Sequence, residues 1–344
     1  MSSRELVDLL RSPYVDDELA SGLCAVVVPV DDLAADELAG IDPGSLPLVI
    51  IGVGAFGEAA GRGTARATFD VVLTGDDPAL EEILATIESN PVASTSLAVL
   101  LRGSEALSVD HALAAESAVY SLLQSGSEFA AWTSSNRYGA AAPDEEPAVL
   151  ATRDGDVLYV ALNRPRRHNA FSRSMRDALS EALAMAVVDE SIARIELSGS
   201  GPSFCSGGDL GEFGSFVDPA SAHTTRLTRS PARLLHRLRE RTSVYLHGAC
   251  MGAGIELSAF AGHVSAHPDA KIALPEVSLG LIPGAGGTVS ITRRAGRQRC
   301  AELALLGRPI TSATALAWGL IDEISASLRH GDGPGRRSIN SSVG

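Results

Sequence analysis

Three turns crowded with small residues constrain this chain more than any other feature. The first is Ser203-Phe204-Cys205-Ser206-Gly207-Gly208-Asp209-Leu210, and the second is His247-Gly248-Ala249-Cys250-Met251-Gly252-Ala253-Gly254-Ile255-Glu256-Leu257. The third is Leu274-Pro275-Glu276, followed by Gly280-Leu281-Ile282-Pro283-Gly284-Ala285-Gly286-Gly287. Small residues at a strand end leave backbone N–H groups free to meet a ligand. Where such a turn opens a helix, the unpaired N–H groups and the positive dipole end favour a developing oxyanion. Glu256 lies three residues beyond Ala253. A turn that aims the Ala253 N–H at a carbonyl therefore brings a carboxylate beside the same carbonyl, and with Glu276 this equips the chain for acid/base work there.

Short strands and helices alternate around these turns. Val157 to Leu162 is β-branched and aromatic and predicts a strand. Met175, Ala178, Leu179, Ala182, Leu183 and Ala186 make one apolar helical stripe, and Ile192 to Leu197 predicts the next strand before Gly199, Gly201 and Pro202. Upstream, Leu23 to Val30, Leu46 to Val53 and Phe69 to Leu73 predict strands, and Glu81 to Glu88 and Ser94 to Leu101 predict short helices. Ser108 caps a longer helix with Val109, Ala112, Leu113, Tyr120 and Leu123 on one side. Polar, Gly-rich and Pro-rich breaks at 134–147 and 329–344 predict a linker and a disordered tail. They divide the chain into an N-terminal α/β region (1–133), the linker (134–147), a catalytic core (148–328) and the tail (329–344).

A net charge of -14 over 344 residues argues against nucleic acid and anionic membranes as partners. Cys24, Cys205, Cys250 and Cys300 form no CxxC or Cys/His cluster, so neither a disulfide framework nor a metal site is expected. Acidic residues interrupt the N-terminus where a signal peptide needs an apolar stretch, and no run of about 18 apolar residues occurs. A soluble, cytoplasmic protein is the expectation.

Taken in order, Leu162 to Ala170 (LNRPRRHNA), Phe204 to Leu210 (FCSGGDL), Gly248 to Glu256 (GACMGAGIE) and Pro275 to Thr288 (PEVSLGLIPGAGGT) resemble the enoyl-CoA hydratase/isomerase (crotonase) superfamily. The likeness continues through Gly307 and Ala317 to Ile321 and covers about half of the chain. It implies an α/β fold, a crotonase-like spiral of ββα units, with the Gly208 and Ala253 N–H groups as an oxyanion hole. Glu256 and Glu276 would be the two catalytic carboxylates of hydratases. Their joint presence implies addition of water to a trans-2-enoyl-CoA to give a 3-hydroxyacyl-CoA, a step of fatty acid metabolism, with Glu256 activating the water and Glu276 delivering the proton to C2. Arg166 and Arg167 would meet the coenzyme phosphates, and Ala170, Ser206, Asp209, Pro283 and Gly284 would contact substrate. No metal or redox cofactor is implied, since coenzyme A is part of the acyl-CoA substrate. A homo-oligomer, a trimer or dimer of trimers, follows by the same analogy. The rival readings are an enoyl-CoA delta-isomerase and a non-catalytic acyl-CoA-binding homologue. Ala253 departs from the glycine common at its position, and Cys205-Ser206 from the usual small apolar pair.

Other features have plainer readings. His168 and His247 are expected to be structural, because the acid/base roles are filled, and Cys205 and Cys250 to be inert thiols. Gly52-Val53-Gly54-Ala55-Phe56-Gly57 matches a dinucleotide fingerprint, but Gly61 and Gly63 interrupt the helix that should follow and Asp70 falls at the start of the next strand. Nicotinamide binding is not expected. Members of the resembled family continue beyond the segment matching Ala317 to Ile321 with helices that close the acyl pocket. The segment 80–132 resembles those helices, so the N-terminal region is expected to supply from upstream what relatives carry at the C-terminus, by rearrangement or by duplication and loss; the alternative is an unrelated N-terminal partner domain with a function of its own.

Overall fold

The computed structural model describes every residue except 32–37, 39–41, 56–66, 137, 139–145, 216–217 and 328–344. Most of the expected linker, the expected tail, and Phe56, Gly57, Gly61 and Gly63 of the fingerprint region therefore lie outside the described residues.

Strands β1 (Ala25–Pro29), β2 (Val49–Val53) and β3 (Val71–Leu73) pair in parallel in that order. The sheet is apolar on both faces, as a covered parallel sheet must be. Val49 and Ile51 join the main core, whereas Ile50 packs with Leu6, Val26 and Phe69 in a smaller cluster on the other side. Asp70, 1% exposed, accepts the Ile50 N–H at 2.9 Å and pairs with Arg102 at 2.6 Å and Arg297 at 3.4 Å. Its carboxylate is thus committed to tying three parts of the chain together.

Downstream, β4 (Val149–Asp154) and β5 (Val157–Leu162) form a hairpin around Gly155. β6 (Arg194–Gly199), β7 (Thr242–Leu246), β9 (His263–Ala266) and β12 (Glu323–Ile324) add in parallel, giving the order β12-β9-β7-β6-β5-β4. β6 starts two residues later than the sequence predicts, because a turn from Asp189 to Ile192 takes up the first two. β8 (Ala249–Met251), β10 (Lys271–Ala273) and β11 (Ile310–Thr311) make a smaller sheet, which the bridges Cys205 to Cys250 and Phe171 to Gly208 extend. From β7 onward the chain visits the large sheet, the small sheet and then a helix before advancing one strand: the expected spiral. Its first helix, Arg173–Val188, is capped by Ser172 and buries Met175, Leu179, Ala182, Leu183 and Ala186. Pro219–Thr228, capped by Asp218, is a helix in a stretch with no readable pattern.

Four upstream helices, Ala79–Ser89, Pro91–Ser104, Val109–Gln124 and Ser127–Ser135, lie between the N-terminal sheet and the spiral. Ile83, Ile87, Leu97 and Leu101 share one continuous core with Val289, Ile291, Leu303 and Leu305 of the helices Gly287–Ala295 and Arg297–Leu306. Each such side chain contributes about 1.5–3 kcal/mol when fully buried. Among the described residues no single helix is long and apolar enough to cross a membrane; the first two upstream helices pass by composition only as a pair bent by 110°.

Candidate active site

Gly252 connects β8 to the helix Ala253–Ser258 with φ +49°, and a Cβ there would stand 2.2 Å from Glu276 Oε1. Only glycine allows the turn and the carboxylate to lie so close. Its N–H donates to the Ala273 carbonyl at 2.9 Å. The next N–H, that of Ala253, begins the helix and donates to no other described residue; the same holds for the Gly208 N–H. Both residues line one cavity.

Glu256, 2% exposed, points from that helix to the turn before Gly287–Ala295. Its Oε2 accepts N–H groups from Ala285 at 2.7 Å and Gly287 at 2.9 Å. A Cβ on Gly287 would approach Glu256 Cγ to 2.6 Å, so the bond needs a glycine there. Burial raises the pKa of Glu256 and the two N–H groups oppose the rise. Glu276, 9% exposed, lines the same cavity and has a buried Oε2 with no hydrogen-bond partner among the described residues. Burial raises its pKa well above the ordinary value, and the Glu256 charge adds to the rise.

The cavity has a third carboxylate that the sequence motifs do not mark. Glu116, 2% exposed, comes from Val109–Gln124 and accepts the Gly286 N–H at 2.7 Å, the Thr288 N–H at 3.0 Å and the Thr288 hydroxyl at 2.6 Å. Burial, followed by the Glu256 charge, raises its pKa. One turn along the same helix, Tyr120 faces the cavity with its ring against Gly284, and the Arg226 guanidinium lies 4.8 Å above the ring centroid. Arg226 Nε donates to Ser117 Oγ at 2.9 Å, which ties Pro219–Thr228 to the upstream helix. The signal for Glu116 was present as a gap: Ala112, Leu113, Tyr120 and Leu123 predict a buried stripe, and position 116 interrupts it with a charge.

Of the residues singled out from sequence, Glu256, Glu276, Gly208, Ala253, Asp209 and Gly284 line the cavity. Asp209 is paired with the buried Arg164 at 2.8 Å. Arg166, Arg167, Ala170, Ser206 and Pro283 are not on its wall. Arg167 lies 3.6 Å from Asp209, the Ala170 carbonyl accepts from Arg164, the Ser206 N–H donates to the His168 carbonyl at 2.9 Å, and Pro283 packs beside Gly287. The arginines on the wall come instead from Arg173 and Arg176, and from Arg226, Arg229 and Arg233. His168 Nδ1 meets Ser203 Oγ at 2.9 Å, and His247, its pKa lowered by burial, holds the Gly201 carbonyl at 3.0 Å. Burial pushes the Cys205 thiol up to about 12, which leaves it protonated at neutral pH.

A family model described as enoyl-CoA hydratase/isomerase matches residues 152–329, just over half of the chain. A mevalonyl-coenzyme A hydratase of Beauveria bassiana is 32% identical over 176 residues, 49% of this chain and 63% of its own length. A 1,2-epoxyphenylacetyl-CoA isomerase of Escherichia coli is 34% identical over 182 residues, 51% of this chain and 69% of its own. A 2,3-dehydroadipyl-CoA hydratase of Escherichia coli is 32% identical over 179 residues, 52% and 69% of the two lengths. Among solved structures, an enoyl-CoA hydratase from Thermoplasma volcanium is 32% identical, covering 53% of this chain and 73% of that one at a TM-score of 0.48. The spiral, its motifs in order and the matched span agree: this chain belongs to the enoyl-CoA hydratase/isomerase family.

Proposed function

We propose that the protein is an enoyl-CoA hydratase. The observation that carries this reading is the unpartnered, buried Oε2 of Glu276, set in the same cavity as Glu256 and the two open N–H groups of Gly208 and Ala253. Hydration needs one carboxyl ionised and one protonated, and the surroundings divide the roles. Two N–H groups stabilise charge on Glu256, whereas the charge of Glu256 helps to keep the proton on Glu276. Glu256 takes a proton from water as its oxygen bonds to C3. The enolate that forms rests its oxygen on the Gly208 and Ala253 N–H groups, a contact worth roughly 3–4 kcal/mol per donor. Glu276 then gives its proton to C2, and one proton passed from Glu256 to Glu276 restores both groups. No metal or redox partner enters the sequence of steps, and coenzyme A arrives with the substrate.

The isomerase reading uses one carboxyl and no water, and a relative described as an enoyl-CoA isomerase/hydratase, 33% identical over 189 residues, supports it. Product analysis on a 2-enoyl-CoA and a 3-enoyl-CoA separates the two: 3-hydroxyacyl-CoA from the former supports hydration, and 2-enoyl-CoA from the latter without hydroxylated product supports isomerisation. Tight thioester binding without turnover, unchanged by Glu256→Gln and Glu276→Gln, would make it a non-catalytic acyl-CoA-binding protein. The helices of 79–135 belong to the same proposal: they act as part of the catalytic unit by covering the apolar side of Gly287–Ala295 and Arg297–Leu306, and a homo-oligomer of the trimeric kind is proposed by family analogy alone. Their common core with the spiral helices supports the first of these two readings.

A further inference from the structure

The turn that holds Glu256 is shared between two carboxylates. Four successive N–H groups alternate: Ala285 and Gly287 donate to Glu256 Oε2 at 2.7 and 2.9 Å, and Gly286 and Thr288 donate to Glu116 Oε1 and Oε2 at 2.7 and 3.0 Å. Peptide groups are rigid planes, so the direction of each N–H is coupled to that of its neighbours. Releasing Gly286 and Thr288 from Glu116 would let the planes rotate, and the Ala285 and Gly287 N–H groups would swing away from Glu256. The clamp comes from outside the span that the family model matches, 170 residues upstream of Gly286.

We infer that Glu116 is a positioning residue: by fixing the Gly286 and Thr288 N–H groups, it sets the direction in which Ala285 and Gly287 hold the Glu256 carboxylate. This rests on the hydratase reading for its kinetic consequence, though not for its geometry. Simple filling of space does not need this side chain. Burying a carboxylate beside another carboxylate is unfavourable, and an apolar residue of the same volume would fill the site without that cost. A carboxyl group, ionised or protonated, has two oxygens and accepts from the Gly286 and Thr288 N–H groups and the Thr288 hydroxyl together. Glutamine has one acceptor oxygen, so its amide nitrogen would confront one of those donors.

The test is Glu116→Gln in the full chain, assayed with crotonyl-CoA. The expected result is a kcat lower by about tenfold or more, with KM within about threefold and an unchanged far-UV spectrum. Combined with Glu256→Gln, the same substitution should cost less than about twofold further, because Glu116 acts through Glu256. A kcat within about twofold of wild type, or losses that multiply in the double variant, would overturn the inference. Should Glu116→Gln not fold, Thr288→Val removes one of the three donors to Glu116 and runs the same cycle, with a loss of about threefold expected and multiplying losses overturning it. Amide exchange by NMR keeps this distinct from the reaction itself. If the wild type hydrates no enoyl thioester, the hydratase reading falls and exchange alone decides. Faster exchange at Ala285 and Gly287, whose N–H groups donate to Glu256 and not to Glu116, supports the clamp, and unchanged exchange refutes it.

Discussion

The stretch from Ser203 to Thr288 and the helix Val109–Gln124 meet in one cavity, but they place their functional atoms by different means. In the former, backbone N–H groups and two glutamates are held by turns that work only without a Cβ: Gly252 beside Glu276, and Gly287 beside Glu256. In the latter, a regular helix presents Leu113, Glu116, Ser117 and Tyr120 from successive turns, and none of these positions depends on a missing Cβ. Geometry that depends on missing atoms leaves a signature in the chain. Geometry that a helix supplies leaves only an interruption in its apolar stripe.

The contrast can be broken most directly at the carboxylates. Glu256→Gln and Glu276→Gln should each lower kcat for crotonyl-CoA by about 10²–10⁴-fold, followed as loss of the conjugated thioester absorbance. A loss under about tenfold at either position would remove it from the chemistry. Next in size is removal of residues 1–144, which strips the upstream helices from Gly287–Ala295 and Arg297–Leu306 and uncovers their apolar sides. Residues 145–344 alone should aggregate or be inactive in size-exclusion and activity measurements. A soluble, fully active fragment would show that the two regions are independent. Asp70→Asn leaves Arg102 and Arg297 without their buried partner and should cost about 3–5 kcal/mol in urea unfolding. A change below about 1 kcal/mol would mean that this node does not bind the regions together.

Two smaller effects follow from the titrations. Glu256 must be ionised and Glu276 protonated, and both have raised pKa values, so kcat/KM should fall on each side of a bell. Its acid limb should lie above the ordinary carboxylate range, and a flat profile down to about pH 5 would contradict the assignment. For stability the sign is fixed by the raised folded pKa of Glu276. Its favourable contribution is complete below the unfolded pKa and is lost as pH rises through the folded one. Glu276→Gln should therefore melt higher than wild type at about pH 8, with the gap closing toward acid, a trade of activity for stability.

The strand–helix–strand start of the spiral was legible because β-branched strands and the Met175 to Ala186 stripe follow the periods of their elements, whereas the spiral itself was expected from the resemblance of the four motifs. The turns drew notice to Ala253, Glu256 and Glu276 and the resemblance added Gly208, and all four share the cavity wall. What could not be read was packing across distance. Arg166 and Arg167 stood in a promising loop, yet the cavity drew its arginines from Arg173–Val188, from Pro219–Thr228 and from the residues just beyond it. The helix Pro219–Thr228 starts at a capped proline and carries only a weak apolar face, so periodicity gave no sign of it. Glu116 was passed over because its partners, Gly286 and Thr288, are backbone donors about half a chain away.

The order of these parts has a consequence during synthesis. A ribosome releases the chain at about 5–20 residues per second, so Glu116 emerges about ten to thirty seconds before the turn it must grip. Through that interval the greasy undersides of the early helices lack the late half of their shared core, and nascent chains should engage chaperones until the last third of the protein is made.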